Sequence, residues 1–91
     1  MLTEILIQIR NELTNQISLA KNKDNKINSK KLVQQSDILN EKIVSSKISE
    51  EDKLMLQKFS SSLVQGNSTA RSLRYEKQDL ERVISNLNYF N

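Results

Sequence analysis

Apolar residues recur along most of this chain in alternating steps of three and four, the spacing that lines one face of an α-helix. From about residue 2 to residue 21, Leu2, Leu6, Ile9, Leu13, Gln16 and Ala20 keep that spacing, and Ile5 and Ile17 widen the stripe. Ile7 and Leu19 fall off it. Asn22-Lys23-Asp24-Asn25-Lys26-Ile27-Asn28 then breaks the pattern. Asn and Asp favour turns because their side chains compete for backbone hydrogen bonds. The pattern resumes from about 29 to 46 through Leu32, Ser36, Leu39, Ile43 and Ser46, flanked by Val33, Ile38 and Val44, with Ser29 or Asn28 placed to cap it. Two of those five layers are serine. Such a seam packs less tightly on its own and leaves room for a partner's side chains.

Ile48-Ser49-Glu50-Glu51-Asp52 is the sharpest local signal. The Ser49 hydroxyl can accept from a free N–H of the first turn, Asp52 approximates the capping-box position, and the three acids sit at the positive end of the helix dipole. A helix therefore starts here. Only Lys47 and Ile48 separate it from the preceding helix, which predicts a tight antiparallel hairpin. From this point Leu56, Phe59, Leu63, Gly66, Ala70, Leu73, Lys77, Leu80, Ile84 and Leu87 alternate steps of three and four without a slip, with Met55, Val83 and Phe90 alongside. That is the repeat of coiled-coil-like packing.

Two architectures compete over Gly66-Asn67-Ser68. Gly past a helix end is a natural stop, which gives helices at about 49–65 and 68–90 and a four-helix up-down bundle. Otherwise Gly66 lies inside one helix of about 40 residues, roughly 60 Å long, at a cost of about 1 kcal/mol relative to Ala. The unbroken phase tips the balance narrowly toward the long helix. The expected fold is thus all-α, a single domain over 1–91, built as an antiparallel bundle or coiled-coil-like hairpin of three to four helices. In the long-helix form, the first two helices cover only part of the third. The stripe of Leu56, Phe59, Leu63, Leu73, Leu80, Ile84 and Leu87 is then left open as a docking surface.

Composition narrows the function. Gly occurs once and Pro never, so the tight turns of β and α/β domains have almost no suitable residues. Apolar residues make up 36% of the chain, enough for a core and against simple disorder. Cys and His are both absent. That excludes disulfides and Ser–His or Cys–His nucleophile pairs, removes the commonest general base, and leaves zinc only carboxylates. A non-catalytic protein without a cofactor or a metal is the expectation. No apolar run approaches the roughly 18–20 residues that span a bilayer. Met1 to Ile7 lacks the basic start of a secretion signal. A cytoplasmic protein is expected.

The net charge of +3 arises entirely in residues 1–47. Lys21, Lys23, Lys26, Lys30 and Lys31 cluster around Asp24. Charge runs are usually solvated, so this reads first as a polar linker. No aromatic interleaves these lysines, which argues against a nucleic-acid platform. Arg71, Arg74 and Arg82 read as surface residues, or as a charged rim beside the docking stripe. Lys77 holds a seam position and is expected to snorkel to water. Glu76, Asp79 and Glu81 are interspersed with Lys77 and Arg82 and read as ordinary surface pairing. Phe59 reads as a core aromatic, and Tyr89 and Phe90 as a clamp on the bundle end or a partner anchor.

A first helix, a polar loop, a second helix ending in Ile43-Val44, and Ile48-Ser49-Glu50-Glu51-Asp52 opening a long segment to Leu87 resemble FliT/FlgN-type flagellar export chaperones and the small helical chaperones of type III secretion. That resemblance implies a protein that keeps a substrate's amphipathic segment soluble by supplying a helical face. Ile9-Arg10-Asn11-Glu12-Leu13 and Ser36-Asp37-Ile38-Leu39-Asn40 in the first half resemble the small aspartyl-phosphate phosphatases that restrain sporulation. Asn40 stands where that family's Ser-Gln-Glu-Leu-Asp motif ends in the active carboxylate, so the resemblance implies response-regulator binding more than phosphatase activity. Size, basicity and helical content also resemble bacteriocin-immunity-type four-helix bundles. The expected function is a chaperone- or adaptor-like module that binds a partner's amphipathic helix or self-associates through helix packing.

Overall fold

The computed structural model describes residues 2–22 and 24–90, and the side chains of 2–22 and 24–87. It contains four helices, α1 (Leu2–Leu19), α2 (Lys30–Ser45), α3 (Glu50–Gln65) and α4 (Ala70–Phe90), in a body of 38 × 22 × 19 Å. Local signals set the helix starts. Ser29 Oγ accepts from Leu32 N at 3.3 Å at the head of α2, and Ser49 Oγ accepts from Asp52 N at 3.1 Å at the head of α3. Each satisfies one N–H that the helix cannot.

The expected long helix is not what forms. α3 stops at Gln65, and Gly66 takes φ +71°, the left-handed conformation. The Gly66 N–H donates to the Leu63 carbonyl and the Asn67 N–H to the Ser62 carbonyl, each at 3.2 Å. This paired arrangement is the Schellman motif. Three residues on, Thr69 and Ser72 cap each other: the Ser72 N–H donates to Thr69 Oγ1 at 3.2 Å, and the Thr69 N–H donates to Ser72 Oγ at 2.9 Å. This is a capping box with Ser in the place usually held by Glu or Gln. The unbroken phase across residues 66–69 therefore reflects two helices that face one core.

Neighbouring helices alternate in direction. α1 packs most extensively on α4, then on α2, and α2 packs on α3; α3 and α4 make by far the smallest contact. The core joins Leu6, Ile9 and Leu13 of α1 to Leu32, Leu39 and Ile43 of α2, Leu56 and Phe59 of α3, and Leu73 and Leu80 of α4. The serine layer leaves no room for a partner. Ser36 and Ser60 are both buried, and Ser60 Oγ donates to the Ser36 carbonyl at 3.4 Å, so the small residues let α2 and α3 approach closely. Ser46 is not a core layer but the residue that caps the end of α2.

The polar loop is also more than a solvated linker. Its Ile27 N–H donates to the Ser68 carbonyl at 2.7 Å, and Lys26 pairs with Thr69 in an isolated antiparallel bridge. Asp24 faces Arg71 at 3.4 Å, and Ile27 packs on the core. The α1–α2 loop is thus strapped across the α3–α4 turn. Lys21, Lys26, Lys30 and Lys31 remain exposed, and Lys23 lies outside the described residues.

The turn carries a prediction whose sign discriminates between architectures. A Cβ on Gly66 would meet nothing within 4 Å, so Gly66→Ala costs only the strain of a left-handed Ala. Stability should fall by about 1 kcal/mol. In a continuous helix the same change would raise it by about 1 kcal/mol. The urea midpoint at unchanged m-value reads the sign.

Candidate functional site

The residues expected to form an open docking stripe are, with one exception, core. Leu56, Phe59, Leu63, Leu73, Leu80 and Ile84 are all buried, and Leu87 is half-buried against them. The reversal at residues 66–69 turns the second half of the stripe back on the bundle, so the chain covers it by itself. The three arginines do not form one rim either. Arg71 pairs with Asp24 of the loop. Arg74 lines the α1–α4 seam with Thr14 and Ile17. Arg82 crosses to α3, where its Nη2 donates to Met55 Sδ at 3.4 Å. Lys77 lies partly buried on the α1 side of α4. Asp37 and Asn40 are both exposed on α2. The side chains of Tyr89 and Phe90 lie outside the described residues.

Where α3 and α4 diverge, a cleft of about 200 Å³ opens between Met55, Leu56, Lys58, Phe59 and Ser62 on one side and Glu76, Asp79 and Leu80 on the other. Met55, Leu56, Phe59 and Leu80 form its apolar walls, and Lys58, Ser62, Glu76 and Asp79 add polar groups, of which Glu76 is the most enclosed. Glu76 stands three residues after Leu73 and four before Leu80, so helical geometry aims it at the same interior as those leucines. Its Oε2 is enclosed and has no hydrogen-bond partner. The ion pairs among the described residues are Lys31–Glu12, Lys53–Glu50 and Arg71–Asp24, and none reaches Glu76. The expectation of ordinary surface pairing for Glu76 is corrected on this point.

Burial raises the Glu76 carboxyl from its ordinary 4.5 to about 7, and the negative charge of Asp79 adds to the rise. Both causes disfavour the ionised form. A carboxyl poised near neutrality in a cleft is a recurrent mark of functional sites. What it can do here is bounded by its surroundings. No group of three or more Asp and Glu able to hold a metal ion occurs among the described residues. Glu76 can accept a hydrogen bond or a cation when ionised and donate one when protonated.

The sequence contained a usable signal for this site. The phase that selects Lys77 as the seam residue also admits Glu76 one position earlier, because a helical stripe is broad enough to hold both. Lys77 falls toward α1 and Glu76 toward α3.

Leu80→Ala should destabilise the monomer by about 3 kcal/mol, as expected of a core leucine. Tyr75→Ala, on the exposed side of α4, should stay within about 0.5 kcal/mol; chemical denaturation of both variants compares them. For Glu76, the folded chain holds a proton between about pH 4.5 and 7 that the unfolded chain releases. This group's contribution to stability is therefore greatest below 4.5, falls as pH rises to about 7, and is flat above it. Glu76→Gln should flatten that slope and raise stability near pH 8 by on the order of 1 kcal/mol, the open cleft screening the rest. Denaturation midpoints taken across pH check it.

Compared with known proteins, the chain matches no family model, no curated protein and no solved structure.

Proposed function

We propose that this chain is a non-catalytic helical binding module, chaperone- or adaptor-like, and that the α3–α4 face receives an amphipathic helix of a protein partner. The observation that carries this reading is the uneven closure of the bundle. α1 seats firmly on α4 and α2, whereas α3 and α4 part around an apolar cleft with an unpartnered carboxylate. A ring of four helices that is loose at one seam offers that seam as a groove, and helix-in-groove docking uses apolar anchors spaced along one face of the incoming helix.

The lips of the groove support the reading. Leu54 stands one turn before the cleft-lining Lys58, and Tyr75 one turn before the cleft-lining Asp79. Residues four apart share a helix face, so each flanks the opening. Both are exposed, Leu54 at 56% and Tyr75 at 67%. Because α3 and α4 run in opposite directions, the two side chains mark opposite ends of the groove. Leu19, Ile38 and Val44 are exposed on other helices and Val64 on α3 beside the first loop, away from the cleft, and scattered surface apolars of that kind need no partner. No helix among the described residues is long and apolar enough to cross a membrane. A cytoplasmic setting belongs to the same reading.

Titrating fluorescein-labelled amphipathic helical peptides into the full chain, followed by anisotropy, tests it. Leu54→Glu and Tyr75→Glu should each weaken binding by about tenfold, while Val44→Glu leaves it unchanged. Equal loss in Val44→Glu, or no binding of any such peptide, refutes docking on this face.

A further inference from the structure

The α3–α4 cleft is too small to take a helix and too small for most metabolites. At about 200 Å³ it falls below the roughly 300–1,000 Å³ of small-molecule sites. Its size suits one side chain, and interface hot spots are commonly single side chains inserted in such pockets.

The chemistry of the walls narrows which side chain. Met55, Leu56, Phe59 and Leu80 offer apolar contact, which favours a long aliphatic stem. At the polar end stand two carboxylates one turn apart, Glu76 and Asp79, against one cation, Lys58. Lys58 makes no ion pair with either. Arg82, at the Met55 end, is engaged with the Met55 sulfur. The cleft therefore holds an enclosed, unpartnered carboxyl oxygen and, once Glu76 is ionised, two negative charges against one positive. A buried carboxylate is stabilised when an opposite charge with good hydrogen-bond geometry reaches it. Lysine and arginine combine the required parts, an apolar stem and a cationic tip.

We propose that the α3–α4 cleft is a socket for one lysine or arginine side chain of the docking helix, its stem against Met55, Phe59 and Leu80 and its charge on Glu76 and Asp79. The inference rests on the docking reading above, but it makes a claim of its own about the anchor residue. Glu76 then acts as a selector. It favours a basic anchor, because an apolar one leaves the carboxylate without a partner and an acidic one meets like charge.

The test uses n-pentylammonium as a probe, with n-pentanol as its uncharged counterpart, titrated into the full chain and followed by NMR of the Met55 methyl and the Phe59 ring. The ammonium should shift both signals and lower the Glu76 pKa, since a cation favours the ionised form. It should bind more tightly near pH 8 than near pH 5.5. Glu76→Gln and Asp79→Asn should each weaken it by about tenfold or more, and Glu81→Gln should not. The proposal is overturned if pentanol shifts the same signals as strongly, or if Glu76→Gln binds as well as the parent chain. It is equally overturned if Glu76 in the free protein titrates at or below its ordinary value, because the site would then be filled from within by Lys58. Peptide experiments separate this claim from the docking reading. Helical peptides that bind equally with norleucine in place of a central lysine would leave docking intact and remove the socket.

Discussion

One aliphatic stripe runs through the second half of this chain, and its burial depends on a reversal of direction between Gln65 and Ala70. As a straight rod, α3 and α4 would extend well beyond the reach of α1 and α2. The reversal makes the stripe self-sealing. It is specified twice over, by the left-handed Gly66 with its two carbonyl-closing hydrogen bonds and by the reciprocal caps of Thr69 and Ser72. The strap from the first loop, Ile27 to Ser68 with Asp24 on Arg71, ties the same turn to the other end-loop of the bundle. Four residues of irregular backbone thus decide whether the molecule is a compact bundle or an open hairpin.

Closure is not uniform around the ring, and its unevenness follows from side-chain identity. Small residues draw α2 and α3 together, since Ser36 and Ser60 allow a close approach. Aliphatic residues of α4 seat it on α1. At the remaining seam α4 presents Glu76, and a carboxylate cannot be packed as tightly as a leucine without losing its hydration. The α3–α4 seam is therefore the natural place for the bundle to part. The candidate site arises where the fold is least able to satisfy itself. Gln35, Ser36 and Ser68 also carry enclosed polar atoms without partners; Gln35 borders the polar α1–α2 seam, Ser36 lies between α2 and α3, and Ser68 sits in the α3–α4 turn. Glu76 alone among these four lines the α3–α4 cleft.

A binding role fits this arrangement better than the open-stripe form of the same idea. A long uncovered aliphatic surface would be sticky toward any apolar surface. A closed bundle with one loose seam is selective, because a partner must fit the seam's width and meet its charge. In the proposed role, the apolar walls would supply contact area and Glu76 would discriminate among anchors.

Helix content, the three apolar stripes, the Ser49 cap and, as one of two candidates with Asn28, the Ser29 cap were legible in sequence because each rests on contacts within a few residues. The all-α class followed from periodicity together with the near absence of Gly and Pro. The break at Gly66 was harder to read. Its glycine was visible, but the preserved phase concealed it, and the Thr69–Ser72 box uses a serine where a carboxylate or amide is usual. The phase admitted Glu76 to the edge of the stripe, but no local signal said that it would face a cleft. Glu76 and Lys77 are adjacent, equally charged in magnitude and equally near the stripe. Which of them faces the α3–α4 cleft and which the α1–α4 seam depends on whether α3 or α1 lies beside it. Local sequence determined where helices begin and which faces are apolar. Only the tertiary arrangement decided which face meets which, because the free energy that closes one seam and loosens another comes from residues far apart in the chain.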